Sequence, residues 1–316
     1  MGAPGWSSGV IAVGIGAGAA AAGAYNVGVV LQAMDARDAP KESGLRMALL
    51  YRLARQPRWL LGTLLGLAAF PIQVLAYANA SVAVVQACLA AGLTIVLFLG
   101  ARSMGEGVGT RDWLAVLAIV VGVALTAAAA PEGGGMPRRG AEPLLLMGAL
   151  GAAALVPYVV SRRLSAVALA TSLSAGLAFA WSDLATKLFS DAFSSDVWLL
   201  ALAWLAGVCV SAVVATLSQM TAFQRLAATR VVPAVFVVET LVPVLAAPIV
   251  LRTHLPWWSP SAVAFYLGLA LLIGAIVVIG RTGQVATILL WGTSKARLPR
   301  HRPRFSAHGR ATPNRP

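Results

Sequence analysis

Charged residues are scarce in this sequence of 316 residues. Only 11% of them are Asp, Glu, Lys or Arg, whereas soluble domains carry about 25%. Hydrophobic residues make up 59% of the chain, and the mean hydropathy is +0.81. This composition predicts an integral membrane protein. The net charge of +13 does not point to nucleic acid as a partner, because the basic residues lie between apolar runs and in the C-terminal tail.

Cysteine and histidine are also rare. Cys88 and Cys209 each lie inside an apolar run, so a disulfide framework is not expected. The histidines, His254, His301 and His308, lie outside the apolar runs. The sequence shows no Cys/His metal spacing, phosphate-binding loop or nucleophile elbow, so we predict neither an enzyme nor a bound cofactor.

Nine apolar runs are long enough to cross a bilayer at about 1.5 Å of rise per residue. We therefore predict an all-α bundle with about nine membrane spans, at residues 9–31, 59–78, 82–101, 113–130, 143–161, 164–189, 197–223, 231–251 and 261–280. Between the first two spans, basic residues alternate with apolar ones. This segment, residues 33–58, is predicted to be an amphipathic helix at the cytoplasmic interface.

The basic residues predict the orientation in the membrane. Twenty of the 24 Lys and Arg residues fall on one side, three (Arg138, Arg139 and Arg252) fall on the other, and Lys187 lies within a span. Because cytoplasmic loops carry an excess of Lys and Arg, residues 1–8 are placed outside and the C-terminus inside a cytoplasmic membrane, as in bacteria. The basic tail at 282–316 is predicted to be disordered, and its charges either bind anionic lipid headgroups or only hold the topology.

A short motif occurs twice. Gln-x-x-Ala-Tyr at residues 73–77 is repeated as Gln-x-x-Ala-Phe at residues 219–223. Since five spans separate the copies, the two halves of the chain, 9–130 and 164–281, have opposite orientations, and 131–163 supplies an external loop and a connector span. Inverted repeats of this kind place a substrate site between the halves, near the middle of the membrane.

One acidic residue, Glu239, lies near the middle of the eighth span. An ionised carboxylate at that depth costs at least about 2.5–3.5 kcal/mol, so it usually faces a bundle interior or a watery cavity. Pro233, Pro243 and Pro248 in the same span free backbone carbonyls, which a lined cavity can satisfy. We interpret Glu239 as part of a substrate or proton path. The alternative is a protonated side chain that only hydrogen-bonds a neighbouring helix.

Other polar side chains within the spans are further candidates. Asp183 and Lys187 are four residues apart on one helical face and are expected to pair, either as an outer gate or as an interfacial pair that reaches the headgroups. The neutral candidates either line one cavity with Glu239 or hydrogen-bond neighbouring helices. They are Tyr25, Asn26, Gln73, Gln86 and Gln219.

Several short motifs carry a resemblance to a known family. They are YANASVA at 77–83, FLG at 98–100 followed by RDW at 111–113, TK at 186–187 and VETLV at 238–242. With them, residues 9–280 resemble the drug/metabolite transporter superfamily, in particular EamA-type members and the nine-span branch of NIPA-like magnesium transporters. Members commonly carry a Glu after the Leu-Gly that closes the third span, where this chain has Ala101.

The resemblance implies a secondary transporter. Its two inverted halves would expose a central cavity alternately, and Glu239 would exchange a proton or a cation for a small metabolite or drug. The magnesium branch implies an alternative, a divalent-cation transporter with Glu239 and Asp183 as ligands, since Mg²⁺ retains several waters. A third hypothesis is a membrane scaffold that transports nothing. The expected partners are the bilayer and a small-molecule or ion substrate, and a homodimer is left open.

Overall fold

The computed structural model describes residues 8–80, 82–129, 141–160, 167–250 and 260–295. Strands are absent from these residues, so the all-α prediction is confirmed for them. Most of the predicted external N-terminus, the external loop at 130–140 and the tail beyond 295 lie outside the described residues. Contacts divide the chain into two units, Met1–Gly280 and Arg281–Pro316, and of the second unit residues 281–295 are described as helical.

The described part of the chain contains eleven α-helices and one short 3₁₀ helix at Lys41–Ser43. In chain order they are α1 (Ser8–Asp38), α2 (Met47–Leu53), α3 (Pro57–Asn79), α4 (Val82–Ala91), α5 (Leu93–Met104), α6 (Thr110–Ala129), α7 (Ala141–Val160), α8 (Val167–Ser194), α9 (Trp198–Phe223), α10 (Ala228–Val250) and α11 (Pro260–Lys295). The described residues of all nine predicted spans lie almost entirely on helices. The third span is divided at Gly92 into α4 and α5.

Among the described residues, seven helical stretches are long and apolar enough to cross a membrane. They are Ala12–Asp38, Pro57–Asn79, Val84–Met104, Thr110–Ala129, Trp198–Phe223, Ala228–Ala246 and Ser261–Ile279. The apolar part of α7 is shorter, at Leu144–Val159, and α8 is not among the seven. The prediction of a multi-pass membrane protein is therefore supported, whereas the count of nine spans stays a prediction.

The outer surface of the bundle is apolar. On α3, Leu64, Leu67 and Phe70 are 61%, 66% and 69% exposed and lie on one face of the helix. Soluble monomers rarely expose contiguous apolar surface of this kind. These side chains therefore have the exposure expected of groups that face lipid tails.

The segment at 33–58 is not one helix. α1 continues to Asp38, and α2 follows only after Pro40 and Gly44 have interrupted the helical path. Within α2, Leu49 and Leu53 are buried, whereas Met47 and Tyr51 are exposed. The amphipathic pattern is therefore present in α2 but extends over 7 residues.

Many of the arginine-bearing connections meet at one end of the bundle, which we call the basic end. It is formed by the ends of α1, α5 and α9 and the starts of α3, α6, α8 and α10. Asp35 near the end of α1 accepts a hydrogen bond from the backbone N–H of Trp59 at 2.9 Å, and Gln224 after α9 donates to the carbonyl of Pro40 at 3.0 Å. The opposite end of the bundle is called the far end.

The buried core is distributed unevenly between the two ends. One large cluster fills the half of the bundle next to the basic end, with members from α1, α5, α6, α9 and α10 such as Val30, Leu97, Ile119, Phe223 and Val235. The other described buried residues form four smaller clusters, three of them toward the far end and one nearer the middle of the bundle. The largest contiguous part of the described core therefore lies next to the basic end.

Candidate functional site

Two acidic side chains and a tyrosine from three helices share one space inside the bundle. Tyr25 of α1 interacts electrostatically with both Glu239 of α10 and Asp183 of α8, and the two carboxylates also interact with each other. The structure thus brings together three residues that the sequence singled out separately. We call Asp183 and Glu239 the acidic pair.

The acidic pair lies deep in the bundle. Glu239 follows the start of α10 by eleven residues and Asp183 follows the start of α8 by sixteen, which places them about 16 and 24 Å from the basic end at about 1.5 Å per residue. Tyr25, thirteen residues before the end of α1, lies at about 20 Å by the same rise. All three therefore lie at the edge of the large core cluster, on its far-end side.

These side chains are accessible although their helices are packed. Tyr25 is 38% exposed, Asp183 is exposed and Glu239 is half-buried. Their neighbours in the same helical turns are buried, for example Asn26, Leu184 and Val238. The three side chains interact with one another across α1, α8 and α10, so they face one another between these helices.

The acidic pair has no cationic counterpart among the described residues. Within the described ranges, neither Asp183 nor Glu239 forms an ion pair with a Lys, Arg or His side chain. Two carboxylates in mutual range, away from bulk water, repel each other when both are ionised. A proton, a metal cation or an organic cation at this place would relieve that repulsion.

A neutral polar group on α3 lies beside the acidic pair. Tyr77 interacts electrostatically with Asp183, and its hydroxyl accepts a hydrogen bond from Nε2 of Gln86 at 2.9 Å. Gln73, one turn earlier on α3, interacts with the same hydroxyl. Two predicted glutamines are thus tied to the site through Tyr77. The repeated motif contained Tyr77, but a tyrosine in an apolar run is more often a packing residue, so the sequence did not single it out.

The structure does not bring the other predicted residues to the acidic pair. The expected ion pair of Lys187 with Asp183 is wrong, because Lys187 Nζ contacts Asp191 Oδ1 at 2.6 Å, one turn further along α8. Asn26 is buried and donates to the carbonyl of Ala22 at 2.8 Å. Gln219 is buried on α9, and no contact described for it reaches the acidic pair.

A metal centre built only from protein ligands is not found. In the part of the chain that the structure describes, no group of three or more His, Cys, Asp or Glu side chains could hold a metal ion. The acidic pair supplies two carboxylates, and the nearby tyrosine and glutamine side chains supply neutral oxygens. A hydrated cation that keeps most of its waters is therefore the only kind of metal that suits this donor set.

Two polar arrangements were missed by the sequence analysis. Ser174, Ser218 and Tyr158 form a network between α7, α8 and α9, with hydroxyl distances of 3.0 Å between the serines and 2.9 Å from Ser218 to Tyr158. Glu106, in the connection after α5, is buried and contacts the start of α10. Single serines in two apolar runs cannot be distinguished by sequence from ordinary packing residues. A Glu in a glycine-rich loop likewise cannot be distinguished by sequence from a solvated loop residue.

Comparison of the chain with protein-family models, with curated proteins and with solved structures gives no match.

Proposed function

We propose that this chain is a secondary transporter of the drug/metabolite transporter type. Nine spans in two inverted halves would move a small metabolite or drug by alternating access, and the acidic pair would bind the proton or cation that couples the movement. The observation that carries this proposal is the accessible acidic pair, which lies deep in an apolar bundle and has no basic partner among the residues that the structure describes.

The energetics favour a binding role for the pair. An ionised carboxylate in the middle of a membrane costs several kcal/mol unless it is paired or hydrated, about 2.5–3.5 kcal/mol at the least. Two such groups in mutual range would be selected against in a passive scaffold. A site that binds and releases a proton or a cation makes use of both carboxylates. The bound positive charge offsets the repulsion between the carboxylates, and its release restores that repulsion.

The helix contacts support the inverted halves. The most extensive contacts in the described bundle join α1 with α3 and α8 with α9. In each half, the third span also packs on the first. In the first half α4 and α5 contact α1, and in the second half α10 contacts α8. In the predicted topology these are equivalent pairs, since the first three spans correspond to the sixth, seventh and eighth.

The uneven core supports alternating access. In this proposal the contiguous cluster is the closed side of the path, and the charge bias predicts that this side is cytoplasmic. Toward the far end the described buried residues form only smaller clusters, so the open side is placed there. This asymmetry is expected of an outward-facing state. In the inward-facing state of the same transporter, the contiguous packing would lie toward the far end.

The experiment that tests the proposal is coupled flux in proteoliposomes. Candidate substrates would first be ranked by their thermal stabilisation of the purified protein, and those that stabilise it would then be assayed for proton-coupled uptake with an entrapped pH dye. Glu239→Gln should abolish coupled uptake, because the amide cannot bind and release the proton. Asp191→Asn is the matched control, since Asp191 pairs with Lys187 on the same helix as Asp183. Unchanged coupling in Glu239→Gln would remove the acidic pair from the mechanism.

A divalent-cation transporter is the second candidate, favoured by the proximity of two carboxylates to the neutral oxygen donors Tyr25 and Tyr77. Mg²⁺ is compatible with two carboxylates because it keeps several of its waters. Uptake of Mg²⁺ into vesicles that contain a Mg²⁺-sensitive dye, in the absence of any organic solute, would support this candidate. Proton-coupled uptake of an organic solute without Mg²⁺ flux would support the first.

A further inference from the structure

Glu106 is a buried carboxylate that the acidic pair does not involve. It lies in the five-residue connection between α5 and α6, and its side chain is 1% exposed. Its Oε1 accepts a hydrogen bond from the backbone N–H of Ala228 at 2.8 Å, and its Oε2 accepts one from Thr229 at 2.9 Å. Glu106 therefore satisfies two of the free N–H groups at the start of α10, where the helix dipole also favours negative charge.

A third element joins this contact. Arg37, near the end of α1, lies 3.4 Å from Glu106 Oε1 and 3.4 Å from the carbonyl oxygen of Met104. The carboxylate thus connects the end of α1 and the end of α5 to the first turn of α10. α1 and α5 belong to the first half, 9–130, and α10 belongs to the second half, 164–281.

The contact leaves no spare room. A Cβ on Gly100 of α5 would lie 2.5 Å from Thr229 Cγ2 and 3.0 Å from Glu106 Oε2. A side chain at position 100 would therefore require Thr229 and Glu106 to shift. The first turn of α10 is therefore held by both hydrogen bonds and close packing.

A second connection joins the halves at the same end. The backbone N–H of Leu45 donates to Thr221 Oγ1 at 2.9 Å, and Gln224 Nε2 donates to the carbonyl of Pro40 at 3.0 Å. Leu45 has a φ of 56°, a conformation that residues other than glycine rarely adopt. The connection between α1 and α2 is thus fastened to the end of α9, in the second half.

We propose that Glu106 is the positioning residue of a gate at the basic end. Its carboxylate holds the first turn of α10 against α1 and α5, and release of that turn opens the path from the basic end to the acidic pair. α10 also carries Glu239, about 16 Å from this contact by helical rise, so movement of its first turn is transmitted to the site. The inference rests on the proposed alternating access.

The chemistry predicts a graded effect of substitution. Glu106→Ala removes both hydrogen bonds and the ion pair with Arg37. Glu106→Gln keeps one carbonyl oxygen, so it can accept one N–H but loses the charge. Hydrogen bonds to a charged acceptor are among the stronger ones, so we expect opening to become about 10- to 100-fold more frequent in Glu106→Ala and less than that in Glu106→Gln.

The test is the accessibility of a cysteine behind the gate. In full-length protein with Cys88→Ala and Cys209→Ala, Val235→Cys would be labelled by a membrane-impermeant maleimide added on the side of the basic end. Val235 lies about two turns beyond the gate contact on α10 and is 2% exposed, so labelling should be slow with Glu106 present. Glu106→Ala should accelerate it at least about tenfold, with Glu106→Gln in between. Glu42→Ala is the matched control, because Glu42 is an exposed acid at the same end.

A general loosening of the bundle is separated from gate opening by a second reporter. Native Cys88 is half-buried on α4 toward the far end, and its labelling rate in the Cys209→Ala background should not change. Equal acceleration at both reporters, or none at Val235→Cys, would overturn the inference. Should Glu106→Ala fail to fold, Glu106→Gln and Gly100→Ala decide the question by the same criterion.

The labelling requires no substrate. The labelling rates can therefore be measured even if the chain transports nothing. If Glu106→Ala leaves the labelling rate unchanged while transport is intact, the gate is rejected and the proposed transport function is not.

Discussion

Gly176→Ala tests whether the packing of α8 on α10 positions the acidic pair. A Cβ on Gly176 would lie 2.6 Å from Val238 Cβ, 2.8 Å from Val238 Cγ1 and 3.0 Å from the carbonyl oxygen of Val235. Ordinary contacts of a Cβ lie at 3.4–4 Å, so α8 must move away from α10 by about 1 Å. Val238 precedes Glu239, and Asp183 lies about two turns beyond Gly176 on α8.

The displacement should cost both stability and activity. Overpacking of this kind destabilises by about 1–3 kcal/mol, and each kcal/mol lowers Tm by roughly 1–2 °C in a chain of this length. A shift of about 1 Å between the carboxylates should reduce coupled transport by about 10- to 100-fold. Thermal unfolding of the purified protein and uptake into proteoliposomes measure the two effects.

Gly148→Ala is the control for this prediction. A Cβ at Gly148 on α7 meets nothing within 4 Å, so the substitution should leave Tm unchanged or raise it slightly through better helix propensity. Wild-type melting and wild-type uptake in Gly176→Ala would show that the close approach of α8 and α10 does not hold the pair together.

Two further predictions concern helix contacts away from the acidic pair. Gly28→Ala on α1 would bring a Cβ to 2.5 Å from the carbonyl oxygen of Gly62 on α3, so it should lower Tm, whereas Gly66→Ala, with nothing within 4 Å, should not. Lys187→Ala removes a partly exposed pair with Asp191 at i, i+4, so stability should fall by no more than about 0.5 kcal/mol and coupled uptake should be unchanged. A loss of uptake in Lys187→Ala would contradict this prediction and show that Lys187 takes part in transport.

The sequence predicted most of the helices because apolar runs of about 20 residues leave few alternatives. Glu239 was singled out as a candidate site residue because it is the one acidic residue in an otherwise apolar span. The break at Gly92 was missed because glycine occurs in many membrane helices without ending them. The division of 33–58 by Pro40 and Gly44 was also missed, although both residues are typical of turns.

The partners of the charged side chains depend on tertiary contacts and could not be predicted. Lys187 has an acid four residues away on either side, Asp183 and Asp191, and local spacing cannot choose between them. In the structure Asp183 interacts electrostatically with Glu239 and Tyr25, whereas Lys187 pairs with Asp191. Glu106 lies in a glycine-rich loop, and only the approach of α10 gives it a role.

The most direct test of the account is the reactivity of a cysteine at position 239. In protein with Cys88→Ala and Cys209→Ala, Glu239→Cys should react with a water-soluble, membrane-impermeant reagent added at the far end, and slowly or not at all with the same reagent added at the basic end. Reaction only with a lipid-soluble reagent would place this side chain against lipid and contradict the proposed site.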